Sequence, residues 1–574
     1  MRTIVLLFTL IVLHTASAGQ DHRISRAERD AFPAYRDSVR RAFRLNGIDQ
    51  PPSYSVRAAA EWEEIDALVI AWTGFPDILR EIVRGAQTEC RVLIVCTDST
   101  IVKNNLQSNG VPLTNIEYVV APFNTIWCRD YGPWNVYDER NDSLYLIDWI
   151  YNRPRPKDDT VNTSLERYTS LPMYRTITTP WDLVHTGGNF MVDGMGTAFS
   201  SKLILDENPT HTEAEIDTIL KRFMGINRYV LMDKLPYDQI HHIDMHLKLL
   251  DEETLLVGEY PPGIADGPQI EQNLAYVLSN YASPWGDPYR VVRIPMPPDA
   301  MGVYPNTGGD YRTYTNAVFV NRTVLLPFYD TQYDTTALRI WQEAMPGYRI
   351  VGIDCNDIIP SLGAIHCITK EIASRDPLYI AHQRIRDQPA GGSGYAVDAI
   401  IRHRSGIASA TVWYRTDTLQ PWLAVTMNLT NPSNNTWSCT IPAQANGSLV
   451  RYYIEATSNS GKQSTRPLPA PDAYWSFNVG VVTNLLAAQS SPGFTLFPNP
   501  ASGICLFGTE LAVTETVLIR TIDLTGRVVD EQTVLIPPGP AYWQLPIDGL
   551  PSGIYTVLAE WSSGSQARKL MINR

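Results

Sequence analysis

Four residues in the first two thirds of the sequence have side chains that could do covalent chemistry together. Cys367 lies in the apolar run LGAIHCITK, Asp130 lies in IWCRDYGPW, and His242 and Asp244 share the segment HHIDMH. A cysteine with a histidine supplies a nucleophile and a proton shuttle. Two further carboxylates suit a guanidinium group, whose planar N–H donors pair with carboxylate oxygens. These residue types therefore indicate attack by a thiolate on the central carbon of an arginine side chain.

Each of these residues also has an ordinary structural interpretation. Cys367 alone fits a buried filler, and Asp130 alone fits a turn between aromatic residues. His242 and Asp244 could be a metal-ligand pair or the solvated face of a strand. If HHID is extended, alternate side chains share a face, which would place His242 beside Asp244. Only their occurrence together in one predicted domain favours the catalytic interpretation.

Two neighbouring residues leave the assignment open at this point. His241 directly precedes His242, and spacing alone does not exclude it as the working histidine. Cys128 lies close to Asp130 and could be mistaken for the nucleophile. The seven cysteines have no regular spacing, which argues against a disulfide scaffold, and their odd number leaves at least one thiol unpaired.

Alternating strand and helix patterns surround these residues from about residue 55 to 385. PDILREIVRGAQ, THTEAEIDTILKRFMG and ALRIWQEAMPG have helical periodicity, and Thr212 with Glu215 predicts a capping box in the second of them. RVLIVCTD, GTAFSSKLIL and YRIVGIDC are predicted strands, and NAVFV with TVLLPFYD is a predicted hairpin. This alternation predicts one large α/β domain.

The sequence changes character after this domain. Residues 386–396 form a Gly-rich linker, and residues 397–480 contain only short strand patterns separated by turn residues. That spacing predicts a small immunoglobulin-like β-sandwich. After a second linker, residues 494–574 are again entirely β in pattern.

Composition and the N-terminus restrict the class of protein. The chain has 574 residues and a net charge of −13 without a basic block, which argues against a nucleic-acid partner. Residues 1–18 predict a secretory signal peptide, and residues 19–45 a pro-segment or helical lead-in. No later stretch is long and apolar enough to predict a transmembrane segment.

The order of several motifs resembles the guanidine-modifying (pentein) superfamily. The motifs are AEWEEIDALVIAW, WCRDYGPW, GGNFMVDG, HID and GAIHC, and they cover about residues 55–375. Within the superfamily the chain is most similar to the Porphyromonas-type bacterial peptidylarginine deiminases, while agmatine deiminases share the EWE, RDxGPW, GGN, HxD and HC elements. The resemblance implies an α/β fold with a five-bladed pentein β/α-propeller over residues 46–388.

The resemblance also implies roles for the residues first considered. Asp130 and Asp244 would hold the guanidinium, Cys367 would attack it, and His242 would transfer protons. The HxD motif selects His242 among the three histidines of HHIDMH, and the family places the nucleophile near the end of the catalytic domain, as at Cys367. No calcium site is expected, because the bacterial group resembled here works without one, and we expect no other metal and no cofactor.

Four further residues would bind the substrate. Trp127 would form a wall of the pocket, and Asn316 in TYTNAVFV matches a family position near the substrate. In the peptidylarginine group the two arginines of an RPR run grip the free carboxylate of a peptide that ends in arginine. Arg153 and Arg155 of YNRPRPKDD would take that role, and the expected partner is a peptide or protein with such an arginine.

The C-terminal motifs resemble a second family. FPNPASG, TVLIRTIDLTGRVV and LPSGIYTVLAEW are similar to the C-terminal sorting domain of type IX secretion substrates. This resemblance implies contact with the type IX secretion machinery and a secreted or surface-attached protein. It also assigns residues 494–574 to a C-terminal all-β sorting domain.

Three other functions remain as alternatives at the level of sequence. A deiminase of free agmatine or arginine would use the same chemistry. A surface adhesin could keep a pentein fold without activity, and a thiol protease could use the cysteine and histidine. The signal peptide and the two arginines favour a peptide substrate over a free small molecule.

Overall fold

A computed structural model of the chain describes residues 21–42 and 48–480 and most of 493–572. Within the last range, positions 498, 500, 502–504, 512–513, 525, 537–538 and 563 are not described. The predicted signal peptide therefore lies outside the described residues, as do both ends of the predicted lead-in.

Five separate sheets occupy described residues 56–373. The first contains the strands Val56–Ala58, Trp134–Asp138, Leu144–Tyr151, Met173–Thr176 and Val184–His185. The second contains Lys370–Ala373, Ile65–Ala71, Arg91–Cys96 and Ile116–Val120. The third sheet contains Met191–Val192, Thr197–Ser201 and Arg228–Met232. The fourth contains Leu247–Asp251, Thr254–Glu259 and Arg290–Pro295. The fifth contains Val318–Val320, Thr323–Phe328 and Arg349–Asp354.

Each of these sheets combines an antiparallel pair of strands with a strand added in parallel. In the second sheet, Lys370–Ala373 lies antiparallel to Ile65–Ala71. The end of this region is therefore next to its beginning, which brings the loop before Lys370 into the centre. Ile65–Ala71 is buried along nearly its whole length, as expected for a strand covered on both faces.

The α-helices of the described residues lie mostly between the strands of these sheets. They are Arg26–Ala42, Pro76–Ala86, Ser99–Ser108, Cys128–Tyr131, Pro156–Asp159, Val161–Thr169, Leu203–Glu207, Glu213–Met224, Gly267–Asn280 and Thr331–Ala344. The predicted capping box is confirmed, because Thr212 and Glu215 exchange side-chain and backbone hydrogen bonds at the start of Glu213–Met224. The predicted hairpin is also confirmed, since Val318–Val320 pairs antiparallel with Thr323–Phe328.

One local prediction is wrong, and another is confirmed with a different start. GTAFSSKLIL is not one strand, because the strand Thr197–Ser201 ends before a short helix, Leu203–Glu207. The helix predicted from ALRIWQEAMPG begins earlier, at Thr331, where the Asp330 side chain accepts a hydrogen bond from the backbone of Gln332. The Asp330 cap sets the start of this helix ahead of its apolar residues.

Residues 379–480 form two facing antiparallel sheets. One contains Tyr379–His382, Tyr395–Arg402, Thr436–Ile441 and Asn428–Asn431, and the other contains Leu423–Thr426, Ile407–Arg415, Leu449–Ser458, Gln463–Arg466 and Trp475–Asn478. Burial alternates along Tyr395–Arg402, as expected when one face of a strand packs on a core. Apolar side chains of both sheets share one buried cluster.

The described C-terminal residues form two more antiparallel sheets around a separate cluster. Their strands are Phe494–Phe497, Cys505–Leu511 and Gly539–Leu545 in one sheet, and Val528–Ile536, Glu515–Ile522, Gly553–Trp561 and Gly564–Ile572 in the other. None of the helices in the described part of the chain is both long and apolar enough for a membrane span.

Candidate active site

Four short helical turns pack against one another in the centre of the five-sheet region. They are Cys128–Tyr131, Gly187–Asn189, Ile243–Met245 and His366–Ile368. Each turn ends just before a strand, so a sheet holds one end of every turn in place. The turns bring Asp130, His242, Asp244 and Cys367 together from distant parts of the sequence.

The predicted extended conformation of HHID is wrong. His242 is extended, but residues 243–245 form a single 3-10 turn that contains Asp244. The two side chains therefore meet because the chain folds back after His242, and not because alternate residues of a strand share a face.

Gly188 marks the point on which three of the predicted side chains converge. A Cβ atom at this position would lie 2.5 Å from His242 Nδ1, 3.1 Å from Asp130 Oδ1 and 3.2 Å from Asp244 Oδ2. Only glycine permits so close an approach of polar side chains to the backbone. The glycine pair of HTGGNFMVDG is thus a steric requirement of the site.

Cys367 is fully buried beside Asp244 and Asn316. Its Sγ lies 3.5 Å from Asp244 Oδ2 and 3.2 Å from Asn316 Nδ2. Asn316 is held in place because its Oδ1 accepts hydrogen bonds from the backbone of Ala364 at 3.2 Å and of His366 at 3.0 Å. Burial, with the charges of Asp244 and Asp130, raises the pKa of the Cys367 thiol well above its usual value.

A chain of charged residues behind Asp244 orients its carboxylate. His366 Nδ1 contacts Asp244 Oδ2 at 2.7 Å, and His366 Nε2 contacts Glu61 Oε1 at 2.9 Å. Glu61 is further bound by Lys248. Burial acts to raise the pKa of Asp244, but the hydrogen bond and charge of His366 outweigh it, and the pKa is lowered.

Sequence reasoning did not assign a role to His366 or Glu61. Both stand inside motifs already quoted, GAIHC and AEWEEIDALVIAW, so their positions in those motifs were the available signal. Their partners are far apart in sequence, and only the pairing of Lys370–Ala373 with Ile65–Ala71 brings them into contact.

Asp130 and His242 form the opposite side of the site. His242 Nδ1 lies 3.6 Å from Asp130 Oδ1, which also accepts a hydrogen bond from the backbone of Gly188 at 3.2 Å. Burial lowers the pKa of His242 to about 4, so the ring is neutral near pH 7. Burial opposes ionisation of Asp130, yet the nearby His22 and His242 outweigh it and lower the pKa of Asp130.

Two polar atoms at the centre of the site are buried without a hydrogen-bond partner in the described part of the chain. Asp244 Oδ1 and His242 Nδ1 have no hydrogen bond within the described residues. Unpaired buried polar atoms cost free energy and commonly mark a place for a ligand or a catalytic step. A carboxylate oxygen in that state is suited to an N–H donor of a cation.

His22, from the segment before the first helix, also enters this site. Its ring stacks on Trp127 with centroids 4.1 Å apart and an angle of 5° between planes. His22 Nε2 contacts Asp130 Oδ2, and Nδ1 contacts the carbonyl of Leu362 at 2.7 Å. The sequence carries no local signal for this contact, because His22 is an isolated histidine in a charged segment.

Arg153 and Arg155 contact the same N-terminal segment. Arg153 Nη2 donates to the carbonyl of His22 at 3.4 Å, and Arg155 Nη2 donates to the carbonyl of Asp21 at 3.1 Å. Arg155 Nε also donates to Glu28 at 2.7 Å. The two arginines therefore bind the backbone of the segment that brings His22 to Asp130.

The two competing residues are located away from the reacting groups. The His241 ring contacts the carbonyl of Leu235 at 3.2 Å. Cys128 Sγ contacts the carbonyl of Val69 at 3.5 Å, and burial raises its pKa to about 12. Of the seven cysteines, Cys90, Cys96, Cys128, Cys355, Cys367 and Cys439 have free thiols.

One group of side chains here could hold a metal ion. Ligand atoms of His22, Asp130 and His242 lie within 4.8 Å of one another, and all three residues are buried. Two histidine nitrogens and a carboxylate are a set that zinc accepts. The expectation that catalysis needs no metal stays a prediction.

Known proteins are similar to this chain in sequence and in fold. A Vibrio parahaemolyticus protein, provisionally named an agmatine deiminase, is 27% identical over 353 residues, covering 54% of this chain and 95% of its own. The solved agmatine deiminase of Enterococcus faecalis is 20% identical with a TM-score of 0.50, covering 57% and 100% of the two chains. A Porphyromonas gingivalis structure, provisionally named an arginine deiminase, is 21% identical with a TM-score of 0.50, covering 56% and 99%.

The family match defines the class of protein as a deiminase, a C–N hydrolase that acts on guanidino groups. The sequence model of the Porphyromonas-type peptidyl-arginine deiminases matches residues 57–372, more than half of the chain. The chain therefore belongs to the Porphyromonas-type peptidyl-arginine deiminase family. Residues 495–573 match the secretion system C-terminal sorting domain, which indicates secretion and attachment to the cell surface.

Proposed function

We propose that this chain is a secreted protein-arginine deiminase that converts peptidyl-arginine, preferably at the C-terminus, to citrulline and ammonia. The observation that carries the proposal is the convergence of the Cys367 thiol, the Asp130 and Asp244 carboxylates and the His242 ring around Gly188. Carboxylates on two sides suit a planar cation, and the thiol beside Asp244 faces the same space.

The reaction would proceed through a covalent intermediate on Cys367. The thiolate adds to the central carbon of the guanidinium, and protonated His242 donates a proton to one nitrogen, which leaves as ammonia. An S-alkylthiouronium cation remains on Cys367. Water then gives a proton to His242 and adds to the same carbon. Expulsion of the thiolate, with loss of the remaining hydroxyl proton to solvent, releases citrulline.

Substrate binding would supply the conditions for ionising the thiol. The raised pKa keeps Cys367 protonated in the free protein, because burial and then two nearby negative carboxylates oppose ionisation. A guanidinium between those carboxylates offsets their charge and favours the thiolate. The proton lost by Cys367 can pass to neutral His242, which then becomes the acid that the first step needs.

The preference for a C-terminal arginine rests on Arg153 and Arg155. Both guanidinium groups already bind backbone carbonyl oxygens of a segment whose His22 ring contacts Asp130. A substrate arginine with its side chain at Asp130 would place its own carboxylate near the same donors. Arginine is well suited to such a planar anion.

The test compares citrulline release from a peptide ending in arginine by chains with Cys367 and with Cys367→Ala. Both chains should begin at Ser25, because His22 contacts Asp130 in the described form. We expect citrulline and ammonia only with Cys367 present, and the peptide should keep its length in mass spectra. Equal citrulline from both chains would contradict the mechanism, no citrulline from either would favour a non-catalytic surface adhesin, and cleaved peptide would favour a thiol protease.

A small-molecule deiminase is the second candidate, favoured by relatives named for agmatine. Agmatine has no carboxylate, so it gains nothing from Arg153 or Arg155. Turnover of agmatine at or above that of the peptide would favour this alternative.

For the architecture, we propose that the five sheets are the five blades of a pentein propeller within residues 46–388. The repeated combination of an antiparallel pair with a parallel strand supports this arrangement. We further propose an immunoglobulin-like sandwich over residues 397–480, a sorting domain over residues 494–574, and a cleaved signal peptide.

A further inference from the structure

The candidate active site contains a segment of its own chain. His22 is completely buried in the site, Asp21 and Ile24 are half-buried beside it, and Arg23 and Ser25 are exposed. The backbone N–H of His22 donates to the carbonyl of Ser361 at 3.2 Å, and its ring nitrogens contact Asp130 and the carbonyl of Leu362. Both ring nitrogens of His22 therefore have a hydrogen-bond partner in the protein interior.

His22 makes several of the contacts that the proposed function assigns to a substrate arginine. Its flat ring covers Trp127, and one N–H group faces the carboxylate of Asp130. Its main-chain carbonyl accepts from Arg153, where a substrate carboxylate would be bound. The imidazole is shorter than an arginine side chain and carries no guanidinium carbon for Cys367 to attack.

A second set of contacts holds this segment in place. Glu28 binds Arg155 and also caps its own helix, since Glu28 and Ser25 exchange side-chain and backbone hydrogen bonds. Further along the helix, Phe32, Tyr35 and Val39 pack on a small apolar cluster of the five-sheet region. The helix therefore anchors the inserted residues at two points, and the tether gives them a high effective concentration at the site.

We propose that residues 21–25 are an intramolecular inhibitor, with His22 as the group that occupies the guanidinium slot. This inference rests on the proposed function. The described form is then latent, and substrate gains access only when the segment is displaced or removed. A bound His22 excludes the substrate side chain from Asp130 and the substrate carboxylate from Arg153.

The experiment uses the chain from Gly19 and two variants that keep the helix Arg26–Ala42. One variant carries His22→Ala, and the other begins at Ser25, which removes the inserted residues but retains Glu28. Arg26→Gln is the matched control, because Arg26 is exposed on the same helix and makes only a surface ion pair with Asp30. All assays contain EDTA, so that a metal ion between His22, Asp130 and His242 does not contribute.

Two measurements separate this inference from the proposed function. The first is the rate at which a cationic chloroacetamidine alkylates Cys367, identified by peptide mapping. The second is kcat and KM for a peptide that ends in arginine. We expect both variants to raise the alkylation rate and kcat/KM about 10- to 100-fold. Most of the change should be a lower KM, because an inserted competitor reduces only the fraction of molecules that can bind substrate.

Each outcome bears on one proposal or the other. Faster alkylation of Cys367 without citrulline would support the inhibitor and overturn the proposed deiminase activity. Equal alkylation and equal kcat/KM in all four chains, with citrulline produced, would overturn the inhibitor and leave the activity intact. If Arg26→Gln changed the alkylation rate and kcat/KM as much as His22→Ala, the inhibitor would also be overturned, since the effect would then come from the helix.

Discussion

The sulfur of Cys367 lies among groups that oppose its ionisation. Burial and the carboxylates of Asp244 and Asp130 raise the pKa of the thiol, while Asn316 donates a hydrogen bond to it. A site built in this way has little thiolate until a cation arrives. At the scale of single residues, the chemistry therefore depends on the charge of the ligand.

The pH dependence of alkylation tests this property in the chain that begins at Ser25. With neutral iodoacetamide, the rate of alkylation at Cys367 should rise about tenfold per pH unit from pH 6 to 9. Over this range the pH is below the pKa of the thiol, so the thiolate fraction grows about tenfold with each unit. With a cationic chloroacetamidine, the rate of alkylation at pH 7 should be higher than with iodoacetamide, and it should rise less steeply with pH. Cys439, whose pKa is raised to about 12 by burial, is the internal control and should follow the same slope with both reagents.

Gly188→Ala should lower kcat/KM about 100-fold or more without loss of the fold. The added methyl group would lie 2.5 Å from His242 Nδ1, so the polar side chains must move apart. The control is Gly392→Ala in the linker, where an added Cβ meets nothing closer than 4.0 Å. Turnover by Gly188→Ala within twofold of the parent would contradict the proposed geometry.

At the scale of elements, short turns position the site, and under the proposed function a neighbouring loop would set its selectivity. The turns Cys128–Tyr131, Gly187–Asn189, Ile243–Met245 and His366–Ile368 carry the central groups, and the loop with Arg153 and Arg155 borders them. Sheets support one end of each turn, so the positions of the reacting groups depend on backbone pairing rather than on flexible loops.

Arg153→Ala should reduce the preference for a free C-terminal carboxylate. We expect kcat/KM for a peptide ending in arginine to fall about 10- to 100-fold, because a charge-assisted hydrogen bond is lost. The same peptide with an amidated C-terminus should be affected far less. The measurement is the ratio of kcat/KM for the free-acid peptide to kcat/KM for the amidated peptide, in the chain that begins at Ser25. Arg339→Ala is the control, because the Arg339 side chain is exposed.

At the scale of the whole molecule, the sandwich is attached to the five-sheet region by charged contacts. Arg466 pairs with Glu252 at 3.1 Å, and Lys462 pairs with Glu64 at 2.7 Å. His382 lies in the strand that leads into the sandwich, where its ring contacts the Tyr452 hydroxyl at 2.9 Å. The family match at residues 57–372 and the sorting domain at 495–573 lie on either side of this unit.

Acid should destabilise the protein partly through His382. Burial lowers its pKa to about 4 in the folded state, while an unfolded histidine has a pKa near 6.5. Between these values only the unfolded chain binds the proton, so stability falls as the pH decreases. The free energy of unfolding should drop by about 2 kcal/mol more in the parent than in His382→Gln between pH 7 and 5. Urea denaturation followed by tryptophan fluorescence measures this difference, and equal losses would contradict it.

Much of the local structure and of the site could be read from the sequence. The capping box at Thr212 and the hairpin around Asn321 depend on neighbouring residues, and both are confirmed. The family motifs located the residues that converge at Gly188. The conformation of HHID was not predictable, because a one-turn bend after His242 depends on packing against Gly187–Asn189.

The sequence by itself determined the types of reacting side chains, the deiminase family and the sorting domain, because these are carried by short motifs. Tertiary structure alone decided that His366 and Glu61 orient Asp244, and that His22 enters the slot beside Trp127. The physical reason is that these contacts join residues far apart in the chain. Their formation depends on which strands pair and which surfaces dock, and no local pattern of residues encodes that choice.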